Sequence, residues 1–460
     1  MEDIVPATPG VLRVYACGPT VYKPQHVGNL RSALLPDLIG RVAMWHGLQV
    51  RYVQNVTDVG HLSDDGGEDK MVTEARARGL TPLQVAREIE ALFHSDASAL
   101  GFRPAEANPR ATDYVGPMIA LTQRLIDGGY AYPEGGSVFF AARSFPTYGE
   151  VSGNRLADLK PAASGRLTDA EESLKRFHAD WALWRGNAAP GADELSFDSP
   201  WGPGTPGWHI ECSAMSLDLL GETIDVHTGG IDLRFPHHED ERAQSDAAVG
   251  HEVVRHWVHG EHLLFGGRKM AKSTGNVVLL ADVVARGMDP LAVRLALLQT
   301  RYRTQVNLTW SALEAADTRL ARWRELVRQW AEAPGAASVA SWIADVVAAF
   351  DDDLDTPRAV ALLSRLAKDP AVSAGAKYQS FVVADRLLGL DLARDVGQPP
   401  RPLPLGAVAL VEEREAARLA KDWATADRLR VDLAGLGVQV ADTPEGPVAR
   451  VGTGSGVASP

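Results

Sequence analysis

Residues 12–54 read LRVYACGPTVYKPQHVGNLRSALLPDLIGRVAMWHGLQVRYVQ, and the fold class turns on this stretch. Residues 12–16 alternate apolar side chains and run into Cys17-Gly18-Pro19-Thr20, which reads as a strand entering a turn. Leu30, Leu34, Leu38, Val42 and Trp45 then recur at helical spacing over residues 30–45, and Gly47 stands where a helix stop belongs. Residues 50–54 are strand-like again. A strand, a helix and a strand within about 40 residues make a βαβ unit, so the spacing predicts an α/β protein with a parallel sheet. Pro36 falls inside the helix, where a missing N–H and a ring clash predict a kink.

Working outward, residues 92–207 change character. Helical periodicity at 114–128, a short strand at 137–140 and a Gly/Pro-rich run at 186–207 read as an insertion between two halves of one sheet domain. The second half resumes with a strand at 223–227 ending in Gly229-Gly230 and continues through His256-Trp257-Val258-His259. Ser311-Ala-Leu-Glu314 reads as a capping box opening a helix to Trp330, and a further helical region spans 341–366. The prolines of 398–404 form a semi-rigid linker, residues 408–433 a helical hairpin, and 451–460 a disordered tail. No internal repeat is found. The predicted division is therefore 1–91, 92–207, 208–306, 307–397 and 398–460.

Composition narrows the class of function. Of 460 residues, 45% are apolar and 23% charged, the balance of an ordinary globular chain. No run approaches the roughly 18 apolar residues of a membrane span, and the N-terminus carries no secretory pattern. Two cysteines, Cys17 and Cys212, exclude a disulfide framework. A net charge of −13 does not advertise nucleic-acid binding, although a local basic face remains compatible with it. A cytoplasmic enzyme is the expectation.

Three groups of residues carry chemistry. His237 and Glu241 are four apart and share a helix face, within Pro236-His237-His238-Glu239-Asp240-Glu241. Such a cluster can hold a metal but is more often a solvated helix start, and the plain reading of each cysteine is a small buried apolar residue. Spacing leaves that site open. His26-Val27-Gly28-Asn29 sits between the first strand and its helix, where free backbone N–H groups and the helix dipole favour phosphate. Gly28 would admit a ligand to the backbone and His26 would donate to phosphate oxygen; a plain cap with Asn29 as its residue is the alternative. Lys269-Met270-Ala271-Lys272-Ser273, flanked by glycines, sets two lysines at i, i+3, able to meet charge on a reacting phosphate or simply to form a solvated basic loop.

Taken together, His26-Val-Gly-Asn29 and Lys269-Met-Ala-Lys-Ser273 resemble the paired signatures of class I aminoacyl-tRNA synthetases, whose family forms are His-Ile-Gly-His and Lys-Met-Ser-Lys-Ser. Further strings are similar to the cysteinyl-tRNA synthetase family: Cys17-Gly-Pro-Thr-Val-Tyr22, Asn55-Val-Thr-Asp58, Asp180-Trp-Ala-Leu-Trp184, Pro206-Gly-Trp-His-Ile-Glu-Cys-Ser-Ala-Met-Ser216, Asp225-Val-His-Thr-Gly-Gly-Ile-Asp-Leu233 and Phe235-Pro-His-His-Glu-Asp-Glu241. The resemblance runs from about residue 10 to 450. It implies a Rossmann-like catalytic domain split by the 92–207 insertion, a helical stem and bundle at 307–397, and a small C-terminal domain on the tRNA anticodon side.

The resemblance also implies one zinc ion per chain on Cys17, Cys212, His237 and Glu241, with Thr57 and Trp208 lining the cysteine pocket. His26, Gly28, Asn29, Asp232, Lys269 and Lys272 fall to ATP, accompanied by Mg2+, and His26, Asn29, Lys269 and Lys272 to catalysis. The implied partners are L-cysteine, ATP and cysteine tRNA, with no membrane, and the chain is expected to act as a monomer. Thiolate-bound zinc takes the substrate thiolate, and serine has no equivalent soft ligand, so no editing domain is needed. Two departures stand out: Asn29 in place of the second His, and Ala271 in place of the Ser of the lysine loop.

Two rival readings share parts of this pattern. A mycothiol-type ligase would join cysteine to an amino sugar with the same zinc and ATP, but has no use for the C-terminal third. There Arg414, Arg418, Lys421, Arg428 and Arg430 offer charge to RNA phosphate, or form a salt-bridged hairpin. A non-catalytic paralogue finds support only in Ala271 and Pro36.

Overall fold

The computed structural model describes residues 3–59, 70–159, 172–186, 195–270, 275–398, 402–443 and 446–451. The predicted βαβ unit is its centre: β1 (Val11–Ala16), α1 (Val27–Trp45) and β2 (Gln49–Gln54). β1 and β2 pair in parallel from Val11 opposite Gln49 to Ala16 opposite Gln54. On its other side β1 pairs in parallel with β7 (Ile224–Gly230), which pairs in parallel with β8 (Val254–Gly260). The sheet order β2-β1-β7-β8 means that the chain leaves β1 to one side and returns to the other after the insertion. That reversal opens a crevice at the carboxyl ends of β1 and β7, where open α/β sheets bind ligands.

Helices cover both faces. α1 buries Leu30, Leu34 and Leu38, with Val42 and Trp45 packed at the edge, as its periodicity predicts. Each such leucine is worth about 1.5–3 kcal/mol of burial, enough to outweigh the interior proline, and α1 runs unbroken through a buried Pro36. The opposite face packs α5 (Trp208–Leu220) and α6 (Glu239–Val249) in a second core cluster.

α2 (Lys70–Arg78) precedes the 92–207 stretch and α3 (Pro82–Ala99) runs into it; α4 (Val115–Asp127) follows, with an antiparallel sheet of β3 (Ala131–Glu134), β4 (Ser137–Phe140), β5 (Trp181–Gly186) and β6 (Gly204–Pro206). β9 (Leu263–Phe265), β10 (Arg268–Lys269) and β11 (Val306–Leu308) form a small sheet beyond β8. α7 (Leu280–Ala285) and α8 (Pro290–Leu298) lead into the bundle of α9 (Trp310–Trp330), α10 (Ala340–Asp351), α11 (Thr356–Lys368) and α12 (Ala374–Leu388). The core beneath α1 continues into that bundle through Trp323, Phe350 and Phe381.

Two local expectations are corrected. The cap of α9 is Thr309, whose Oγ1 accepts from the Ala312 N–H at 3.2 Å; Ser311 lies already inside the first turn. The helix starts early because Trp310 is held between Phe265 and the Arg286 guanidinium. The helical region expected at 341–366 is present as two helices, separated where Asp353 and Leu354 adopt positive φ of 52° and 54° and Asp355 caps the second. Val451, assigned to a tail, ends the hairpin of β12 (Val438–Thr443) and β13 (Gly446–Val451). The rest of that tail, and residues 399–401 of the proline linker, lie outside the described residues.

The helical hairpin expected at 408–433 is present as α13 (Ala407–Leu419) and α14 (Trp423–Gly435). Arg414, offered above to RNA, instead makes a bidentate pair with Asp442 of β12 at 2.7 and 2.9 Å and is buried. Arg418 reaches the same carboxylate. These two arginines fasten the hairpin to its strands.

Candidate active site and metal centre

Cys17 follows β1, and its N–H donates to the Thr228 carbonyl of β7 at 3.1 Å, so the thiol sits in the crevice between the two strands. Cys212, 195 residues away, comes from α5 with its Sγ 3.9 Å from Cys17 Sγ. His237 lies in the tight turn Arg234–His238 that leads into α6, and its Nε2 is 2.9 Å from Glu241 Oε1 on the next turn. Cys17 Sγ is 3.6 Å from the same oxygen. One donor atom from each of Cys17, Cys212, His237 and Glu241 falls in a common sphere, all within 4.8 Å of one another. The face-sharing of His237 and Glu241 holds as predicted; bringing in the cysteines needed the sheet.

The donor set fits a zinc ion. A sulfur–sulfur separation of 3.9 Å is far beyond a disulfide at about 2.05 Å, and close to the edge of a tetrahedron with bonds of about 2.3 Å, roughly 3.8 Å. Glu241 is 2% exposed. Among the described residues its ion-pair partners are only His237 and His227, and a buried carboxylate facing two thiols without a Lys or Arg calls for a cation. Burial alone would depress His237, yet Glu241 and Cys212 hold it up at about 10. Burial and the neighbouring Cys212 push the Cys17 thiol well up; Cys212 opposes its own burial with hydrogen bonds from Cys17 and His237 and ends lower than usual.

Around this centre stand residues that sequence reasoning did not single out. His227 and His238 approach Cys17 Sγ at 3.5 and 3.3 Å and, with Cys17 and Glu241, form a second overlapping set of donors. Burial drives His227 down to about 4, and burial with four imidazole neighbours lowers His238, so both are neutral acceptors or ligands. The Tyr15 hydroxyl is fully buried beside Cys212 and stays protonated for the same reason. Asp240 is pushed up by burial against the pull of Tyr148 and His237. Their only signal in the sequence is the His-His doublet and the density of polar residues in strings that otherwise read as strand and helix. Trp208, the first residue of α5, stacks on the His237 ring with centroids 4.1 Å apart. Thr57 is buried, accepts from Asn55 Nδ2 at 3.2 Å, and lies in a bridge with Thr20. Asn55 in turn accepts from the Gly18 N–H at 2.8 Å, which ties this wall to Cys17.

The second group gathers at the start of α1. Here the structure corrects the reading of the cap. His26, not Asn29, is the N-cap: its Nδ1 accepts from the Gly28 and Asn29 N–H groups at 3.1 and 3.2 Å, while Asn29 Oδ1 accepts from the His26 N–H. Val27 N–H is taken by the Val278 carbonyl and Leu30 N–H by His26. The first turn therefore keeps no spare N–H for phosphate. What it offers is the dipole, the Asn29 amide, and one imidazole proton whose place is fixed: an Nδ1 that accepts leaves the proton on Nε2. Burial lowers the His26 pKa, with Asp232 opposing and Lys269 assisting, which keeps that neutral tautomer. A Cβ at Gly28 would lie 2.9 Å from Met270 Cε and 3.0 Å from the His26 ring, so a larger residue there would make these side chains shift. The space at Gly28 is filled by protein.

Asp232 follows β7 and Lys269 ends β10, exposed. Both are near enough to His26 to influence its charge. Asn276 Nδ2 donates to the carbonyls of Phe265, Arg268 and Lys269 and so fixes the base of the lysine loop. Lys272 and Ala271 lie outside the described residues.

Residues 3–318 match the family model for the class I (C) tRNA synthetase catalytic domain, and residues 401–446 match that for the cysteinyl-tRNA ligase anticodon binding domain. The chain is 42% identical over 465 aligned positions to a cysteine–tRNA ligase of Thermus thermophilus, covering 96% of this chain and 95% of that one. It is 43% identical to a cysteine–tRNA ligase of Methylocella silvestris, covering 97% and 95%. Among solved structures, the Mycobacterium tuberculosis methionyl-tRNA synthetase in complex with methionyl-adenylate aligns with a TM-score of 0.55 at 16% identity, over 84% of this chain and 91% of that one. A leucyl-tRNA synthetase from Agrobacterium radiobacter in a ternary complex aligns at 0.57 and 12%, over 84% of each. These two likenesses concern the fold.

Proposed function

The chain belongs to the cysteinyl-tRNA synthetase family of class I, and from that premise we propose how its residues divide the work. It is a cysteine–tRNA ligase: an ATP-dependent enzyme that activates L-cysteine and transfers it to cysteine tRNA. The near full-length likeness to cysteine–tRNA ligases carries this conclusion.

Residues 1–91 and 208–306 act as the split catalytic domain, 92–207 as the insertion, 307–397 as stem and bundle, and 398–460 as the anticodon-side domain. Cys17, Cys212, His237 and Glu241 hold a zinc ion, supported by their common sphere and by the cation-poor surroundings of Glu241. Zinc in that sulfur-rich setting supplies a soft Lewis acid that favours a substrate thiolate over an alcohol. Trp208 braces His237 from one face, and Thr57 closes the wall beside Cys17. The cysteine carboxylate oxygen then attacks the α-phosphorus of ATP; the new P–O bond forms as the bond to pyrophosphate breaks, with Mg2+ accompanying the nucleotide. His26 Nε2–H and the Asn29 amide donate to phosphate oxygens. Asp232 takes the adenosine end, and Lys269 and Lys272 meet the charge that builds on the leaving pyrophosphate. The tRNA 3′-terminal hydroxyl next attacks the acyl carbon, releasing AMP. No covalent enzyme intermediate is required, so positioning and charge do the catalysis. The enzyme works as a monomer in the cytoplasm.

Purified protein is expected to exchange pyrophosphate into ATP only when cysteine is present, and to charge cysteine tRNA but not an amino-sugar acceptor. Exchange followed by transfer to the amino sugar alone would favour the mycothiol-type reaction. Lys272→Ala should slow adenylate formation by about 10²–10³-fold, since one contact to transition-state charge is worth about 3–4 kcal/mol. Cysteine affinity should barely change. Equal losses in binding and rate would give Lys272 a structural role instead. Ala271→Ser should have a smaller effect than Lys272→Ala.

A further inference from the structure

The first turns of α6 send adjacent side chains in opposite directions. Glu241 faces the metal donors, while Glu239, Asp240 and Arg242 grip the insertion at residues 147–152. The Glu239 carboxylate, fully buried, accepts from the N–H groups of Gly149, Val151 and Ser152 at 2.9, 3.1 and 2.8 Å. Arg242 donates to the Thr147 carbonyl at 2.8 Å and to Thr147 Oγ1 at 3.2 Å. This double hold delivers one side chain: the Tyr148 hydroxyl donates to Asp240 Oδ1 at 2.6 Å. The other oxygen of Asp240 is 3.3 Å from His209 Nε2, and His209 Nδ1 is 2.8 Å from His237 Nδ1. All four residues are buried.

The directions of these bonds are not free. His237 presents Nε2 to Glu241, 2.9 Å away. An imidazole that gives its Nε2 lone pair to a metal keeps its proton on Nδ1, where it can only donate. His209 Nδ1 must then accept, which puts the His209 proton on Nε2, and that proton has Asp240 as its acceptor. A ligand histidine held through its second nitrogen in this way is oriented for its metal.

We infer that Tyr148, Asp240 and His209 form a positioning chain that orients the metal ligand His237, so that the insertion helps to build the centre that selects cysteine. This rests on the zinc reading above. The alternative is that Tyr148 and Asp240 merely pin the insertion to α6, which would affect folding but not the metal. Three variants of the full chain separate the two: Tyr148→Phe, Asp240→Leu and Asp240→Asn. The first removes a single oxygen. The last keeps both links, because its amide oxygen still accepts from His209 and its NH2 can donate to a rotated Tyr148 hydroxyl.

Metal affinity is read by chelator competition with Zn2+, ligand geometry by the absorption bands of the Co2+ form, and folding by melting of the metal-free protein. Tyr148→Phe and Asp240→Leu are expected to weaken metal binding about 10–100-fold and to shift the Co2+ bands, while Asp240→Asn stays near the parent. Parent-like affinity and spectra in the first two, or equal weakening in the Asn variant, would overturn the chain. A parent that takes up neither Zn2+ nor Co2+ would instead remove the zinc reading itself. Loss of metal in Cys212→Ser with no change in Tyr148→Phe and Asp240→Leu would refute the positioning chain alone.

Discussion

Cys212→Ser is expected to leave a folded protein with little or no zinc and with cysteine activation reduced by more than about 100-fold. The bound is conservative, because a hydrogen-bond partner one step away from a metal is already worth about 10–100-fold in affinity. The reason is protonic. A coordinating thiol gives up its proton at neutral pH and an alcohol does not, so serine offers a weak neutral oxygen where the set needs a soft anion. Folding should survive, because Cys212 is one small member of the large cluster between the sheet and α5. ATP affinity should change little, since His26, Asp232 and Lys269 gather at the start of α1 and not at the thiols. Zinc content by elemental analysis, beside cysteine and ATP affinities of variant and parent, decides the matter. Full occupancy with unchanged cysteine selectivity would reduce Cys212 to a buried apolar residue and remove thiolate recognition with it.

The second large effect lies at the junction of the sheet domain with the bundle. Arg294 on α8 is fully buried and spends its guanidinium on three elements: Asp37 Oδ2 of α1 at 2.6 Å, the Leu388 carbonyl of α12 at 2.6 Å, and the Leu100 carbonyl at 3.2 Å. Asp37 also receives Arg41 Nε and the Arg103 N–H, both at 2.9 Å. Gly389 completes the site, as its φ of 66° and a would-be Cβ only 2.7 Å from Arg294 Nη2 both demand glycine. Burial would raise Asp37, but Arg294 and Arg41 outweigh it and hold the carboxyl below its usual range. Arg294→Met is therefore expected to cost about 3–5 kcal/mol, the usual penalty for stranding half of a buried pair. The sign with pH follows. A depressed folded-state pKa gives stability that is present above the unfolded carboxylate pKa, about 3.9, and lost as pH falls through the lower folded value. Without Arg294 that loss should begin at higher pH. Urea midpoints of parent and variant between neutral and acid pH measure both effects, and a change below about 1 kcal/mol would mean that Arg41 alone supports the carboxylate.

Local physics explains why the βαβ centre was legible in residues 12–54. A helix whose buried face repeats every three to four residues, and strands ended by Gly or Pro turns, carry their own signal. The caps were less legible because a cap is a choice between neighbouring polar residues. Thr309 displaced Ser311 once Trp310 found Phe265 and Arg286, and His26 displaced Asn29 once Val27 was bound to Val278. Arg414 likewise reads as a surface charge until Asp442 returns on β12 beside it.

Reading the chain alone was enough to name the residue types of the centre and to set His237 beside Glu241, since residues four apart in a helical turn are neighbours. It also determined, through strings resembling one family, which two cysteines to join to them. The tertiary structure alone decided that Cys17 and Cys212 meet across 195 residues, because two strands separated by the whole insertion are neighbours in the sheet. It decided which nitrogen of His26 holds the proton, and it brought Tyr148 of the insertion to the Asp240 that stands behind His209 and His237. Those facts depend on distances between atoms far apart in the chain, and no periodicity or spacing along a sequence encodes them.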